Sequence, residues 1–204
     1  KGLWVTTRLT LAFSPCPNDT FMFGALATGR IRDPAYALTP HLHDVETLNE
    51  LAGRAAYDVT KLSCHAWLVN RERYRILSVG AAIGHGCGPL VVARRPLART
   101  DLGQARVLLP GALTTAYLLF RIWQPNVRSV AFVPYDRIVP ALLAEDADCG
   151  VIIHESRFTY AAAGLHCLAD LGLWWESETR QPIPLGCMAI RSALPEAAVG
   201  AVED

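Results

Sequence analysis

Short aliphatic and β-branched runs alternate along the chain with longer stretches whose apolar residues recur at helical spacing. Runs of the first kind suit strands and those of the second suit amphipathic helices, so the alternation predicts an α/β protein with largely parallel sheets. Strands are expected at Leu9 to Phe13, Ala37 to Leu42, Val59 to Leu62, Arg75 to Val79, Pro89 to Ala93, Arg106 to Leu109, Val130 to Val133, Cys149 to Ile153 and Leu185 to Ile190. Helices are expected at Asp19 to Thr28, Val45 to Ala52, Cys64 to Asn70, Thr114 to Trp123, Asp136 to Ala144 and Glu155 to Ala163. Ile138, Leu142 and Leu143 share one helical face, as do Tyr117, Leu118 and Ile122, and both stripes read as core.

A charged, proline-containing turn at Arg94-Arg95-Pro96 interrupts this alternation, and Gln181-Pro182-Ile183-Pro184 interrupts it again. Two α/β lobes are expected: a discontinuous one from residues 1–94 and 185–204, and a second from 95–184. A chain that leaves one lobe, builds another and returns is expected to hold a ligand cleft at the junction. Lys1 is not an initiator Met, and the chain stops after Leu194-Pro195-Glu196, which reads as the start of a further helix; it is read as incomplete.

Composition narrows the function. The 204 residues carry 19 Lys plus Arg against 19 Asp plus Glu, so no strong field exists to hold a nucleic acid or an anionic membrane. No run is long and apolar enough to span a bilayer, and the N-terminus lacks the long apolar core of a secretory signal. Six scattered cysteines form no C-x-x-C pair and no zinc-like spacing, which suits reduced thiols in a cytoplasm. A small-molecule partner is expected, with oligomeric state left open.

Three segments repeat one device, a strand running into a polar turn where a helix starts: Phe13-Ser14-Pro15-Cys16-Pro17-Asn18-Asp19, Thr60-Lys61-Leu62-Ser63, and Pro110-Gly111-Ala112-Leu113-Thr114-Thr115-Ala116. First-turn N–H groups lack intrahelical partners and carry the positive end of the helix dipole, which favours a carboxylate or phosphate. Ser, Thr, Asn and Asp also serve as ordinary caps, so any one segment alone fits either role. Lys61 either runs its stem to solvent or turns its ammonium toward the cleft, and Ser63 shares its strand parity.

His154, in Ile152-Ile153-His154-Glu155-Ser156, ends an apolar strand where open α/β sheets place ligands. A helix start directly after it disfavours the imidazolium and leaves a ring able to accept a proton, although capping or a local hydrogen bond explains the position equally well. There is no G-x-S-x-G motif, and Gly84-His85-Gly86-Cys87-Gly88 fits neither a dinucleotide fingerprint nor a P-loop; a flexible turn feeding the next strand is expected there.

In their order and separation these segments resemble the 1,4-dihydroxy-6-naphthoate synthases of the futalosine route to menaquinone. The resemblance also includes Asp44-Val45-Glu46-Thr47-Leu48-Asn49, Gly88-Pro89-Leu90, Tyr135-Asp136-Arg137-Ile138, Ile153-His154-Glu155-Ser156-Arg157-Phe158 and Trp174-Trp175-Glu176, then Pro184-Leu185-Gly186. It implies a two-lobed, type II periplasmic-binding-protein-like fold and a cytoplasmic lyase without metal or organic cofactor. The implied reaction converts cyclic de-hypoxanthine futalosine, a carboxylate, to 1,4-dihydroxy-6-naphthoate by proton abstraction and carbon–carbon cleavage. Carried over by motif, Lys61, Leu62, Ser63, Thr115 and Ala116 bind substrate and His154 accepts the proton. Ser14, Asn18 and Asp19 are held as supporting candidates. The alternatives are chorismate dehydratase of the same pathway and a non-catalytic solute-binding domain for a small carboxylate.

Overall fold

A computed structural model describes residues 6–203. The chain runs β1 (Thr7–Phe13), α1 (Pro17–Ala27), β2 (Tyr36–Leu42), α2 (Val45–Ala52), β3 (Val59–Ser63), α3 (Cys64–Asn70), β4 (Tyr74–Ile76), β5 (Ala82–Gly84) and β6 (Leu90–Ala93). After a 3-10 turn at Asp101–Gly103 come β7 (Arg106–Leu109), α4 (Thr115–Trp123), β8 (Ser129–Phe132), α5 (Tyr135–Leu143), β9 (Cys149–Ile152) and α6 (Ser156–Thr159). The last elements are β10 (His166–Asp170), α7 (Leu171–Thr179), β11 (Ile183–Arg191) and α8 (Glu196–Glu203). Among the described residues no helix is long and apolar enough to cross a membrane.

The chain divides into two compact units, one comprising the segment up to Ala82 together with that from Gly186 onward, the other Ile83–Leu185. In the first, the sheet order is β2-β1-β3-β11-β4, with β5 paired to β11. β1 is parallel to β2 and β3, so Phe13, Leu42 and Ser63 end their strands on one edge, and antiparallel β11 sets Gly186 opposite Ser63 on that same edge. Leu11, Phe13, Val59, Met188 and Ile190 form its core with Phe23 of α1.

The second sheet has the order β10-β6-β9-β7-β8. β7 is parallel to β8 and β9, while β6 is antiparallel to β9 and to β10. The C-terminal ends of β7, β8, β9 and β10 therefore share an edge with the start of β6. Both faces of this sheet are covered. Val91, Val107, Leu109 and Val151 point to one core with α4, and Leu90, Val92, Leu108 and Ile152 point to another with Ile138 and Leu142 of α5. Two-sided burial explains why these strands read as unbroken apolar runs rather than alternating ones.

Several expectations are corrected. Leu90–Ala93, assigned by sequence to the first lobe, is hydrogen-bonded on both sides within the second sheet, so the polar turn at 94–96 marks a strand end and the chain changes unit at Ala82. Both sheets are mixed rather than largely parallel. The buried face of α4 is Ala116, Leu119, Phe120 and Trp123; Ile122 is exposed, as is Leu143 of α5. The helix expected over 155–163 shrinks to one turn, Ser156–Thr159. The residue pattern does not predict β10 or α7: His166-Cys167-Leu168-Ala169-Asp170 lacks β-branched residues, and pairing with β6 makes it a strand.

Candidate functional site

In the first unit, the polar candidates collect at the C-terminal edge of the sheet. Asp19, 2% exposed, accepts hydrogen bonds from the Ser14 amide at 3.0 Å and the Ser14 hydroxyl at 2.8 Å through one carboxylate oxygen. Its other oxygen accepts the Lys61 ammonium at 3.0 Å. The Lys61 stem thus does not run to solvent: its charge is buried against a carboxylate 42 positions away. Gly186 leaves room beside this route, since a Cβ there would fit tightly, 3.2 Å from Lys61 Cε and 3.0 Å from the Leu62 carbonyl oxygen. Asn18 is exposed. The Leu62 side chain is fully buried, so its backbone is what it can offer a ligand.

Ser63 is the N-cap of α3, yet its side chain makes no capping hydrogen bond. Its amide donates to Asn49 Oδ1 at 3.0 Å, and its hydroxyl accepts from Asn49 Nδ2 at 3.0 Å. Asn49 is fully buried on α2. Sequence reasoning misses it as a site residue, because one Asn in an amphipathic helix reads as part of the solvated face. Beside Ser63, a hydrogen bond with Cys187 holds the Cys64 thiol below its ordinary range; burial opposes the shift and Lys61 assists it. Cys187 is pushed up by the same bond and by its burial.

In the second unit, α4 begins at the end of β7. Thr114 caps it: the hydroxyl accepts the Tyr117 amide at 3.2 Å and donates to the Gly111 carbonyl at 2.8 Å. Thr115 and Ala116 occupy the first turn, at the positive end of the helix dipole. The Thr115 hydroxyl donates to the carbonyl of Leu185, the last residue of this unit, at 2.9 Å.

His154 follows β9 on this same edge. Its φ of +56° lies in the left-handed region, which is uncommon outside glycine and costs about 1–2 kcal/mol. Asn, Asp and His are the side chains that tolerate it best. The Tyr135 ring, at the start of α5, meets the imidazole edge-on, with centroids 5.0 Å apart and planes at 70°. The sequence resemblance includes Tyr135 in a matching stretch without giving it a role; the pairing of α5 with β9 brings it here. The Ile138 side chain of α5 packs directly on the β9 backbone, since a Cβ on Gly150 would lie 2.5 Å from Ile138 Cγ2.

The turn after His154 is held from both sides. The Arg157 amide donates to the His154 carbonyl at 3.2 Å. The guanidinium donates to the Gly88 carbonyl at 2.8 Å, the Gly86 carbonyl at 3.4 Å and the Asp170 carboxylate at 2.5 Å. Asp170 also caps α7, and the Gly86 amide donates to Glu176 at 2.6 Å. The glycine-rich turn at 84–88, expected to be flexible, is packed at its ends, where a Cβ on Gly88 would sit 2.6 Å from Gly172 Cα and one on Gly84 2.6 Å from Ile183 Cγ2, while His85 and Gly86 at its tip are exposed. Among the described residues no three His, Cys, Asp or Glu side chains are grouped to hold a metal ion.

The sheet edges therefore bring together Ser14, Asp19, Lys61 and Ser63 in the first unit, and Thr115, Ala116 and His154 in the second. Known proteins share this chain's sequence and its fold. A 1,4-dihydroxy-6-naphtoate synthase of Thermus thermophilus is 47% identical over 196 residues, covering 96% of this chain and 71% of that protein. A synthase of the same name from Streptomyces coelicolor is 42% identical over 201 residues, covering 96% of this chain and 70% of that one. Among solved structures, the periplasmic aliphatic sulphonate-binding protein of Escherichia coli superposes with a TM-score of 0.67 at 10% identity, over 98% of this chain and 70% of that one, a likeness of fold alone. The fold is that of the type II periplasmic binding proteins. The family model described as menaquinone biosynthesis matches residues 9–204, and the chain belongs to that family.

Proposed function

We propose that this chain is the lyase that converts cyclic de-hypoxanthine futalosine to 1,4-dihydroxy-6-naphthoate in menaquinone biosynthesis. Both relatives bear the synthase name, which favours this reaction over chorismate dehydration. His154 is assigned as the base that removes a proton from the substrate and starts carbon–carbon cleavage; the aromatic product supplies the thermodynamic pull. The first turn of α4, at Thr115 and Ala116, is assigned to the substrate carboxylate, where backbone N–H groups and the helix dipole stabilise negative charge without a metal. Lys61, the Leu62 backbone and Ser63 are assigned to binding the substrate's other polar groups, with Ser14 and Asp19 holding Lys61 in place.

The observation that supports this reading best is the left-handed backbone at His154, because strain kept at the end of a buried strand is characteristic of sites where geometry serves chemistry. Its position beside a neutral aromatic ring, at the end of β9, suits a proton acceptor. The test is to incubate the purified chain with the cyclic substrate and follow naphthoate formation by absorbance. Turnover is expected from the parent chain and not from His154→Asn; equal turnover by both removes His154 from the mechanism.

A further inference from the structure

We infer that Asn49 is a positioning residue that sets the polarity of the Ser63 hydroxyl, turning its proton toward the ligand so that this part of the site selects an oxygen acceptor such as a carbonyl. The inference rests on the assignment of Ser63 to substrate binding. Three hydrogen bonds carry it. The Ser63 amide can only donate, and it lies 3.0 Å from one terminal atom of the Asn49 side chain, which must therefore be the carbonyl oxygen. The other terminal atom is then the NH2 group. It lies 3.0 Å from Ser63 Oγ and 3.1 Å from a carboxylate oxygen of Glu46, an acceptor that agrees with the assignment.

An amide NH2 donates and does not accept, so it occupies a lone pair of Ser63 Oγ and excludes the hydroxyl proton from that direction. The helix does not use the hydroxyl either, since Ser63 caps α3 without a side-chain hydrogen bond. Asn49 is fully buried and Ser63 is 5% exposed, so bulk water does not reorder this pair readily. A hydroxyl held as donor at the sheet edge discriminates between ligands through the cost of an unmade bond: an acceptor oxygen satisfies it, and a second donor leaves two protons facing each other.

The experiment is a double-mutant cycle on Asn49→Asp and Ser63→Ala, with kcat and KM measured on the cyclic substrate. The carboxylate introduced by N49D keeps an acceptor for the Ser63 amide but offers the hydroxyl another acceptor, drawing its proton away from the ligand. N49D is expected to raise KM about tenfold with kcat within about threefold of the parent, and the double variant to be no worse than S63A alone. Parental KM in N49D, or losses that add in full in the double variant, overturns the inference. Parental KM in S63A instead removes Ser63 from substrate binding, which is a separate failure. Should N49D not fold by circular dichroism, the same cycle is run with Asn49→Ser, which removes the NH2 donor together with the acceptor of the Ser63 amide without adding charge: a raised KM that vanishes in the S63A background supports the inference, and a parental KM, or a loss that adds in full to that of S63A, overturns it.

Discussion

The Lys61 ammonium stands 3.0 Å from the Asp19 carboxylate, with the two side chains only 9% and 3% exposed. Desolvation of both charges offsets much of their attraction, so the pair is poor evidence of net stabilisation, yet leaving either charge alone in that position is costly. Asp19→Asn is expected to lower unfolding free energy by about 3–5 kcal/mol in urea titration. Replacing both residues with apolar ones of like volume should recover most of that stability while leaving the reaction impaired. A single Asp19→Asn variant as stable as the parent would show that the pair is not buried in solution.

Position 154 separates fold from chemistry. Asn accepts the left-handed backbone, so His154→Asn should unfold at nearly the parental temperature while kcat falls about 10²- to 10⁴-fold. His154→Val should lose the same activity and in addition about 1–2 kcal/mol of stability, because a β-branched side chain resists that backbone. Thermal melts of the two variants make the comparison.

Features of the fold and site are legible from residues alone where their signal is local. Arg106–Leu109 and Val45–Ala52 appear where their patterns place them, since burial on two faces or one stamps its period on neighbouring residues. His154 is recognisable because the end of an apolar strand is also a local feature. The partner of Lys61 is not, being a matter of which strand and helix pack together. Neither is the role of Asn49, whose burial depends on α2 lying beside β3. The face of α4 is misjudged for a related reason: Tyr117, Leu118 and Ile122 are as apolar as Ala116, Leu119, Phe120 and Trp123, and only the position of the sheet decides between them.

Gly150 sets how closely α5 lies on β9. An added methyl would meet Ile138 Cγ2 at 2.5 Å and Leu142 Cδ1 at 3.4 Å, and the first of these atoms is branched directly from Cβ and cannot swing aside cheaply. Gly150→Ala is expected to cost about 1–3 kcal/mol and, by lifting the helix that carries Tyr135, to lower kcat as well. Unchanged melting and unchanged turnover would show that the helix has room to spare.

The described thiols should differ sharply in reactivity. Cys64 is held below the ordinary thiol range by the Cys187 hydrogen bond, while burial raises Cys149 to about 12. A lowered value means a larger thiolate fraction as pH rises toward about 8, and thiolate is the reactive form. In iodoacetamide labelling followed by peptide mass mapping, Cys64 is expected to modify well before Cys149 or Cys187, and Cys187→Ala should slow it. Cys187 labelling first would contradict the assigned direction of that bond.

Arg157 joins stretches that are far apart in the chain: the turn at 86 to 88, the end of β10 with the cap of α7, and the residues just after the assigned base. One guanidinium fork shared among them makes their local opening a common event rather than three separate ones. Amide protons in these stretches should therefore exchange with deuterium at kindred rates in the parent chain. Arg157→Lys would keep the charge, lose the fork, and let the three lapse into independent rhythms.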